Sequence, residues 1–365
     1  MKNTMYSILL ILLTSCFNHS NIDDVIIETK VKTTTEIKYA KGFSIDDSND
    51  DFTLIKVNSI QSKFNFTDSI YISHSINFES KDKKVLPNKL NRLALQSSTY
   101  FSYISILNKL KLIVGLSGVQ YFNSSYLTKK INKDSIQEIG INGSIQMESL
   151  LKTNPDLFLI FPFELDNQIQ YNSKGIQTLL ISEYLEQTPI ARLEWIKLFG
   201  LILNEPQLAN TYFNSVEKLY YSSVKEVDST KTVFFNLPFK DNWNMPNSNS
   251  ITTNLLADAG FNYIFSDTTN DNSIRSKETV WEKAMECEYW VIIASRPTSF
   301  SLQDLINEES IYAEFPAVKN KKVIFCNTST TDYFTMGVVE PELMLLDLIN
   351  VSNPNHNPKY FKLLK

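Results

Sequence analysis

Glycine, arginine, histidine and cysteine are all scarce in this chain of 365 residues, and each scarcity narrows what it can do. With 9 glycines there is no GxGxxG or GxxxxGK run, so the backbone loops that cradle phosphate are missing. Arginine occurs only as Arg92, Arg192, Arg275 and Arg296, and the net charge is -5, so no basic field recommends a nucleic acid partner. The 3 histidines, His19, His74 and His356, are far apart in sequence and form no metal-ligand or catalytic cluster. Gly115-Leu116-Ser117-Gly118 lacks the second spacing of a nucleophile elbow. Carboxylates are common, but no pair stands out for acid and base work. Binding fits these absences better than catalysis.

What is present begins with an export signal. Lys2, the apolar run Ile8 to Leu13 and then Thr14-Ser15-Cys16 suit a signal peptide over 1–15, since the run is too short to span a bilayer. Leu13-Thr14-Ser15-Cys16 resembles the bacterial lipobox, which implies lipidation of Cys16 and a membrane anchor in the periplasm or cell envelope. Residues 16–38 are polar and threonine-rich, and read as a flexible tether. Cys287 and Cys326 remain, and read as two separate buried thiols.

The stretch from Ser182 to Val227 organises the rest. Ala209, Tyr212, Phe213, Val216, Leu219, Tyr220 and Val224 recur at helical spacing, and Glu205-Pro206 places proline where a first turn tolerates it. The pattern predicts one stiff helix over 205–227. Before it, Phe52 to Val57 and Ser69 to Ile72 alternate as in an antiparallel ribbon. Apolar runs at Arg92 to Gln96, Leu112 to Leu116, Leu157 to Phe161 and Thr178 to Ile181 then alternate with helical stretches at Tyr100 to Leu110 and Ser144 to Lys152. In the latter, Asn142-Gly143 should turn, Ser144 cap, and Met147, Leu150 and Leu151 face inward. Beyond the helix, Thr232 to Leu237, Trp290 to Ala294 and Val323 to Cys326 read as strands, and Ile251 to Ala259, Glu278 to Glu286 and Met344 to Asn350 as helices. Such alternation implies parallel sheets covered on both faces. The expected fold class is α/β: an N-terminal lobe over 39–204 and a C-terminal lobe over 228–365, with mainly parallel sheets, joined by one long rigid helix.

Several segments resemble class III periplasmic solute-binding proteins of ABC importers. They are Leu112 to Ser117, Met147-Glu148-Ser149-Leu150-Leu151 with Asn154-Pro155-Asp156-Leu157, Glu183-Tyr184-Leu185-Glu186 with Thr188-Pro189, Arg192 to Ile196, Ala317 to Asn320, and Gly337 to Pro341 with Leu346 to Ile349. Their order resembles the branch common in Bacteroidetes and covers the chain from about Tyr39 onward. The resemblance implies a ligand held between two lobes and small closing motions. It also implies docking on a permease dimer through one acidic residue per lobe. Glu148 matches the first by motif; Glu314 is the choice for the second, with Glu308 and Glu309 as neighbours.

Cleft residues are expected where strands end and helices begin. These are Thr99, Tyr100, Ser117, Tyr121 and Phe163 in the first lobe, and Trp243, Asn327 and Tyr333 in the second. Trp243, between Asn242 and Asn244, reads as a loop tryptophan offering a stacking surface. Many members of the resembled family carry histidine where Tyr100 stands. Trp195 and Trp281 read as core. The resemblance implies a bulky metal chelate as guest: a ferric siderophore first, a corrinoid such as vitamin B12 second, and haem third for want of a cleft histidine. A bare zinc or manganese ion is disfavoured. No permanent cofactor is implied, and a monomer is expected. The rivals are an exported hydrolase, which would need facing carboxylates, and an adhesin, which would need a flat apolar patch.

Overall fold

The alternating residues near the start do pair as a ribbon. The computed structural model describes residues 35–365 except 61–64, 76–77, 79–82, 88, 120–121, 123–134, 142–143 and 266–273. Strands β1 (Phe43–Asp46), β2 (Phe52–Asn58) and β3 (Thr67–Ser73) run antiparallel, and β4 (Val85–Leu86) joins β3 in parallel. Ile55 lies opposite Ile70, and both are fully buried, while Lys56 faces out as the two-residue period requires. The signal peptide, Cys16, His19, the Asn142-Gly143 turn and most of the tether lie outside the described residues. Among those described, no helix is long and apolar enough to cross a membrane.

A second sheet follows from β5 (Leu93–Leu95), β6 (Ile113–Ser117), β7 (Gln137–Ile141), β8 (Ser144–Ile145), β9 (Leu157–Ile160) and β10 (Thr178–Leu180). Its order is β10-β9-β5-β6-β7-β8, parallel throughout except for the β7–β8 pair. Leu93 to Leu95 and Leu157 to Ile160 are buried on both faces, which is why these strands read as unbroken apolar runs. The remaining strands are β11 (Thr232–Phe235), β12 (Pro238–Phe239), β13 (Asn242–Asn244), β14 (Asn262–Tyr263), β15 (Ile274–Ser276), β16 (Tyr289–Ala294), β17 (Val323–Asn327) and β18 (Lys362–Leu363). They form a five-stranded sheet, β14-β11-β16-β17-β18, in which only β18 is antiparallel, and a small antiparallel sheet, β12-β13-β15. The fold is therefore mixed α/β with mostly parallel sheets.

The chain crosses once between the two large sheets, through residues 181–231. That crossing contains the helix Pro206–Ser223, with proline at its first turn as the spacing predicts. Its 18 residues span roughly 27 Å at 1.5 Å per residue. Ala209, Phe213, Val216 and Tyr220 are buried, but Leu219, expected on the same stripe, is 55% exposed. The helix packs against Ile196–Ile202 and Pro341–Ile349. Gly200 permits the closest approach, since a Cβ there would lie 2.5 Å from that of Ala209.

Two local expectations need correction. Ser144 is a strand residue and caps nothing; the helix after it is Met147–Thr153, preceded by Gln146 without a side-chain cap. Of its expected inner face only Leu150 is buried: the short helix packs against β7 and β6 along one narrow stripe and leaves Leu151 41% exposed. Asn154 ends this helix in the left-handed conformation, with φ 40°. Likewise the helix expected over Tyr100 to Leu110 is Ser98–Ile106, opened by Ser97, whose Oγ accepts from the Thr99 amide at 3.2 Å.

Cys287 and Cys326 are separate buried thiols, and burial pushes both up to about 12. His74 reaches Thr53 Oγ1 at 2.8 Å, and His356 reaches Asp347 at 2.7 Å. Among the described residues no three His, Cys, Asp or Glu side chains could jointly hold a metal ion.

Candidate functional site

Parallel strands deliver their carboxyl ends to one rim of a sheet, and that rim is where open α/β folds take ligands. At the ends of β9 and β10 it carries aromatic rings. Phe163, in the turn Pro162–Glu164, is 57% exposed and stacks on half-buried Phe161, with centroids 4.8 Å apart and planes at 22°. Phe161 in turn meets Tyr184 edge-on at 5.9 Å and 88°. The Tyr184 hydroxyl is pushed up to about 12 by burial and then by the charge of Glu183, so it stays a neutral donor at any physiological pH. Three rings thus form a continuous apolar surface, with Phe163 outermost.

A polar layer lies beneath. Tyr100 is fully buried, donates its hydroxyl to the Ile181 carbonyl at 3.1 Å, and sits 5.9 Å from the Phe161 ring. It supports the aromatic surface from below and does not line it, which corrects its expected role. Tyr103 donates to the Arg192 carbonyl at 2.7 Å and stacks on Phe199 at 4.6 Å. Glu183, fully buried, accepts from Arg192 Nη2 at 3.2 Å. The members of this ion pair are nine positions apart, Glu183 in the turn Glu183–Leu185 and Arg192 in the helix Pro189–Glu194, a spacing that no helical or strand period announces. Thr99 is half-buried, 2.8 Å from Ser97 Oγ, and Ser117 is 3% exposed at the end of β6. Tyr121 lies outside the described residues.

The second large sheet offers a matching rim at the ends of β16 and β17. Asn327 is 6% exposed and its amide is fully engaged. Its oxygen accepts from the Arg296 amide at 3.1 Å and from Ser329 Oγ at 2.8 Å; its nitrogen donates to the Arg296 carbonyl at 2.9 Å. Asn327 therefore braces two loops and offers no free polar atom to a guest, contrary to expectation. Arg296, which it positions, forks onto Glu308 at 2.8 and 3.1 Å. Tyr333 is half-buried and meets Phe334, itself 50% exposed, edge-on at 5.1 Å. Burial pushes the Tyr333 hydroxyl well up, Cys326 adds to this, and Arg192 opposes it. Arg192, within the crossing, and Tyr333, beyond it, thus lie within each other's field.

Trp243 is not a stacking surface. It lies on β13 with no exposure, donates Nε1–H to the Phe235 carbonyl at 3.0 Å, and packs 6.1 Å from both Phe234 and Trp290. Its exposed neighbours Asn242 and Asn244 are the outward half of a strand, so polar flanks signalled alternation and not a loop. The ring that does face solvent is Phe239, 70% exposed and paired in register with Asn242. The two residues between β12 and β13, Lys240 and Asp241, are not of the Asn-Gly or Asp-Gly type that marks a hairpin in sequence, so no local signal announced it.

The expected docking residues are at the surface. Glu148 is 84% exposed and pairs with Lys152 at 3.0 Å, one helical turn on, and that lysine holds its carboxyl below the usual range. Glu314 pairs with Lys319 at 2.7 Å. Glu308 is committed to Arg296, and Glu309 lies 4.0 Å from Lys277.

Two mostly parallel sheets, a single helical crossing between them and exposed aromatic rings at their rims are the layout of a two-lobed solute-binding fold. The chain belongs to the periplasmic binding protein family, whose model matches residues 97–330. It is 26% identical over 284 residues to an uncharacterised lipoprotein of Methanocaldococcus jannaschii, covering 74% of this chain and 67% of that one. Among solved structures it resembles the periplasmic haem-binding protein of Vibrio cholerae, with TM-score 0.56 and 18% identity over 71% of this chain and 98% of that one. It also resembles an ABC-type Fe3+-hydroxamate transport system protein of Saccharomonospora viridis, with TM-score 0.54 and 17% identity over 71% and 93%. Phe163 and Trp243 fall inside the matched residues; the ribbon of β1 to β4 precedes them and Tyr333 follows them.

Proposed function

We propose that this chain is the substrate-binding protein of an ABC importer, lipid-anchored at Cys16 in the cell envelope, and that it carries a ferric siderophore or similar metal chelate to a permease dimer. Two lobes, 39–204 and 228–365, would hold the guest between their aromatic rims, with the helix of the crossing limiting how far they close. The observation that carries this is Phe163: a phenylalanine left 57% exposed on a stacked partner is apolar surface awaiting a flat or bulky guest. A guest enclosed whole, with its metal already coordinated, needs no protein ligand, which suits a donor set without a metal-holding cluster among the described residues. The similar structures, a haem-binding protein and an Fe3+-hydroxamate transport protein, support chelates of this size. A corrinoid is the alternative. Glu148 and Glu314 would orient the complex on the permease, whose cations would have to displace Lys152 and Lys319.

The test is a fluorescence titration of the chain with a ferric trihydroxamate, cobalamin and haem, repeated with Phe163→Ala. Loss of one ring contact should weaken the preferred chelate about tenfold, the equivalent of about 1.4 kcal/mol. Equal affinity in both proteins would remove Phe163 from the site.

A further inference from the structure

The point where the tether meets the folded body is held by an unusual clamp. Residues 38–42 form no strand or helix, yet five consecutive backbone amides are taken up by two buried carboxylates. Glu194 accepts from the amides of Lys38 at 2.9 Å, Tyr39 at 2.7 Å and Ala40 at 2.8 Å. Glu186 accepts from those of Lys41 at 3.0 Å and Gly42 at 2.9 Å, and from Trp195 Nε1 at 3.0 Å. Glu194 has no exposure and Glu186 has 3%. Carboxylates this deep are tolerated only when bonded, and an irregular backbone this deep needs acceptors, so each requirement meets the other. Lys197 completes the clamp: its ammonium lies 2.7 Å from Glu194, 2.6 Å from the Glu36 carbonyl and 4.1 Å over the Phe213 ring.

The register is fixed at both ends. A Cβ on Gly42 would come 2.7 Å from the Trp195 ring, so only glycine passes there. At the other end Tyr39 donates to Glu217 at 2.7 Å and lies between Phe213 and Tyr221, with ring distances of 6.2 and 5.8 Å. Glu186, Glu194, Trp195 and Lys197 precede the helix Pro206–Ser223, while Phe213, Glu217 and Tyr221 are on it. Every one of these partners belongs to the single crossing between the two large sheets.

We propose that residues 36–42 are a strap that binds the membrane tether to this crossing, where the lobe 39–204 passes into the helix Pro206–Ser223, and braces it, so that the pull of the anchor is taken up at the hinge. The lobes can then open and close without working against the anchor, and the hinge angle depends on the strap. The membrane end of this rests on the lipoprotein reading above; the brace itself does not.

The test uses the full chain without ligand. Amide hydrogen exchange is measured over 38–42, and the distance between spin labels on Lys111→Cys and Asn307→Cys, one exposed site on each side of the crossing, is measured in the same protein. In the wild type these amides should exchange at least about 100-fold more slowly than in an unstructured chain. Ala40→Pro, which deletes one donor, should release them and broaden the distance distribution. Glu194→Gln, which keeps the side-chain volume, gives the same readout if the proline variant does not fold. Free-chain exchange in the wild type, or released amides with an unchanged distribution, would overturn the brace. Because no ligand is present, a failure of chelate binding would refute the receptor function without altering either measurement.

Discussion

Replacing Trp243 with alanine separates a core role from a ligand-contact role. The indole is fully buried between Phe234 and Trp290, and its Nε1–H satisfies the Phe235 carbonyl. Truncating a buried tryptophan costs about 3–5 kcal/mol through lost transfer energy and the cavity left behind. The orphaned carbonyl of Phe235 adds about 1 kcal/mol. The sum, about 4–6 kcal/mol, is a large share of the roughly 5–15 kcal/mol that a folded domain commands. Trp243→Phe retains most of the ring contact but loses the hydrogen bond, and should cost about 1–2 kcal/mol. Urea unfolding of the ligand-free variants, followed by near-ultraviolet circular dichroism, reads both values. A loss under about 1 kcal/mol for Trp243→Ala, together with abolished chelate binding, would show that the indole faces the guest and would refute its placement in the core.

Glu342, 7% exposed with Oε2 unbonded, has its carboxyl pushed up to about 7 by burial. Its folded value lies above its unfolded one, so its stabilising contribution is complete below about pH 4.5 and fades as pH rises through 7. The wild type should lose up to about 3 kcal/mol over that window, and Glu342→Gln should lose less, as urea midpoints at pH 5 and 8 would show. Glu148→Arg should leave chelate affinity unchanged but lower uptake in vesicles carrying the permease; equal uptake would remove Glu148 from the docking surface.

Much of the fold was legible because burial writes itself into periodicity. The two-sided burial of Leu157 to Ile160 and the one-sided burial of Ala209, Phe213, Val216 and Tyr220 each leave a distinct spacing. The site was less legible, for reasons that differ by residue. Trp243 misled because a strand of three residues is too short for alternation to be told from a polar loop. Tyr100 and Asn327 sit where strands end, as the fold demands, but their polar atoms are spent on Ile181, Arg296 and Ser329, which no local pattern announces. The clamp of Glu186 and Glu194 was invisible for a further reason. Its donors are backbone amides some 150 positions away, and backbone amides carry no residue identity.

The amino-terminal ribbon has a consequence beyond its own core. Asp68 on β3 takes the Leu180 amide of β10 at 3.0 Å and also pairs with Lys84, while Gln168 donates to it at 3.0 Å. Strand β10 is the last of its sheet, and a bare outer strand is a template on which a stranger's backbone can zip. By plugging that seam with a charged side chain, the ribbon denies neighbouring molecules a foothold, as the antiparallel tail strand β18 does beside β17. Asp68→Ala should therefore show itself first as clumping on storage, well before any measurable change in what the protein holds.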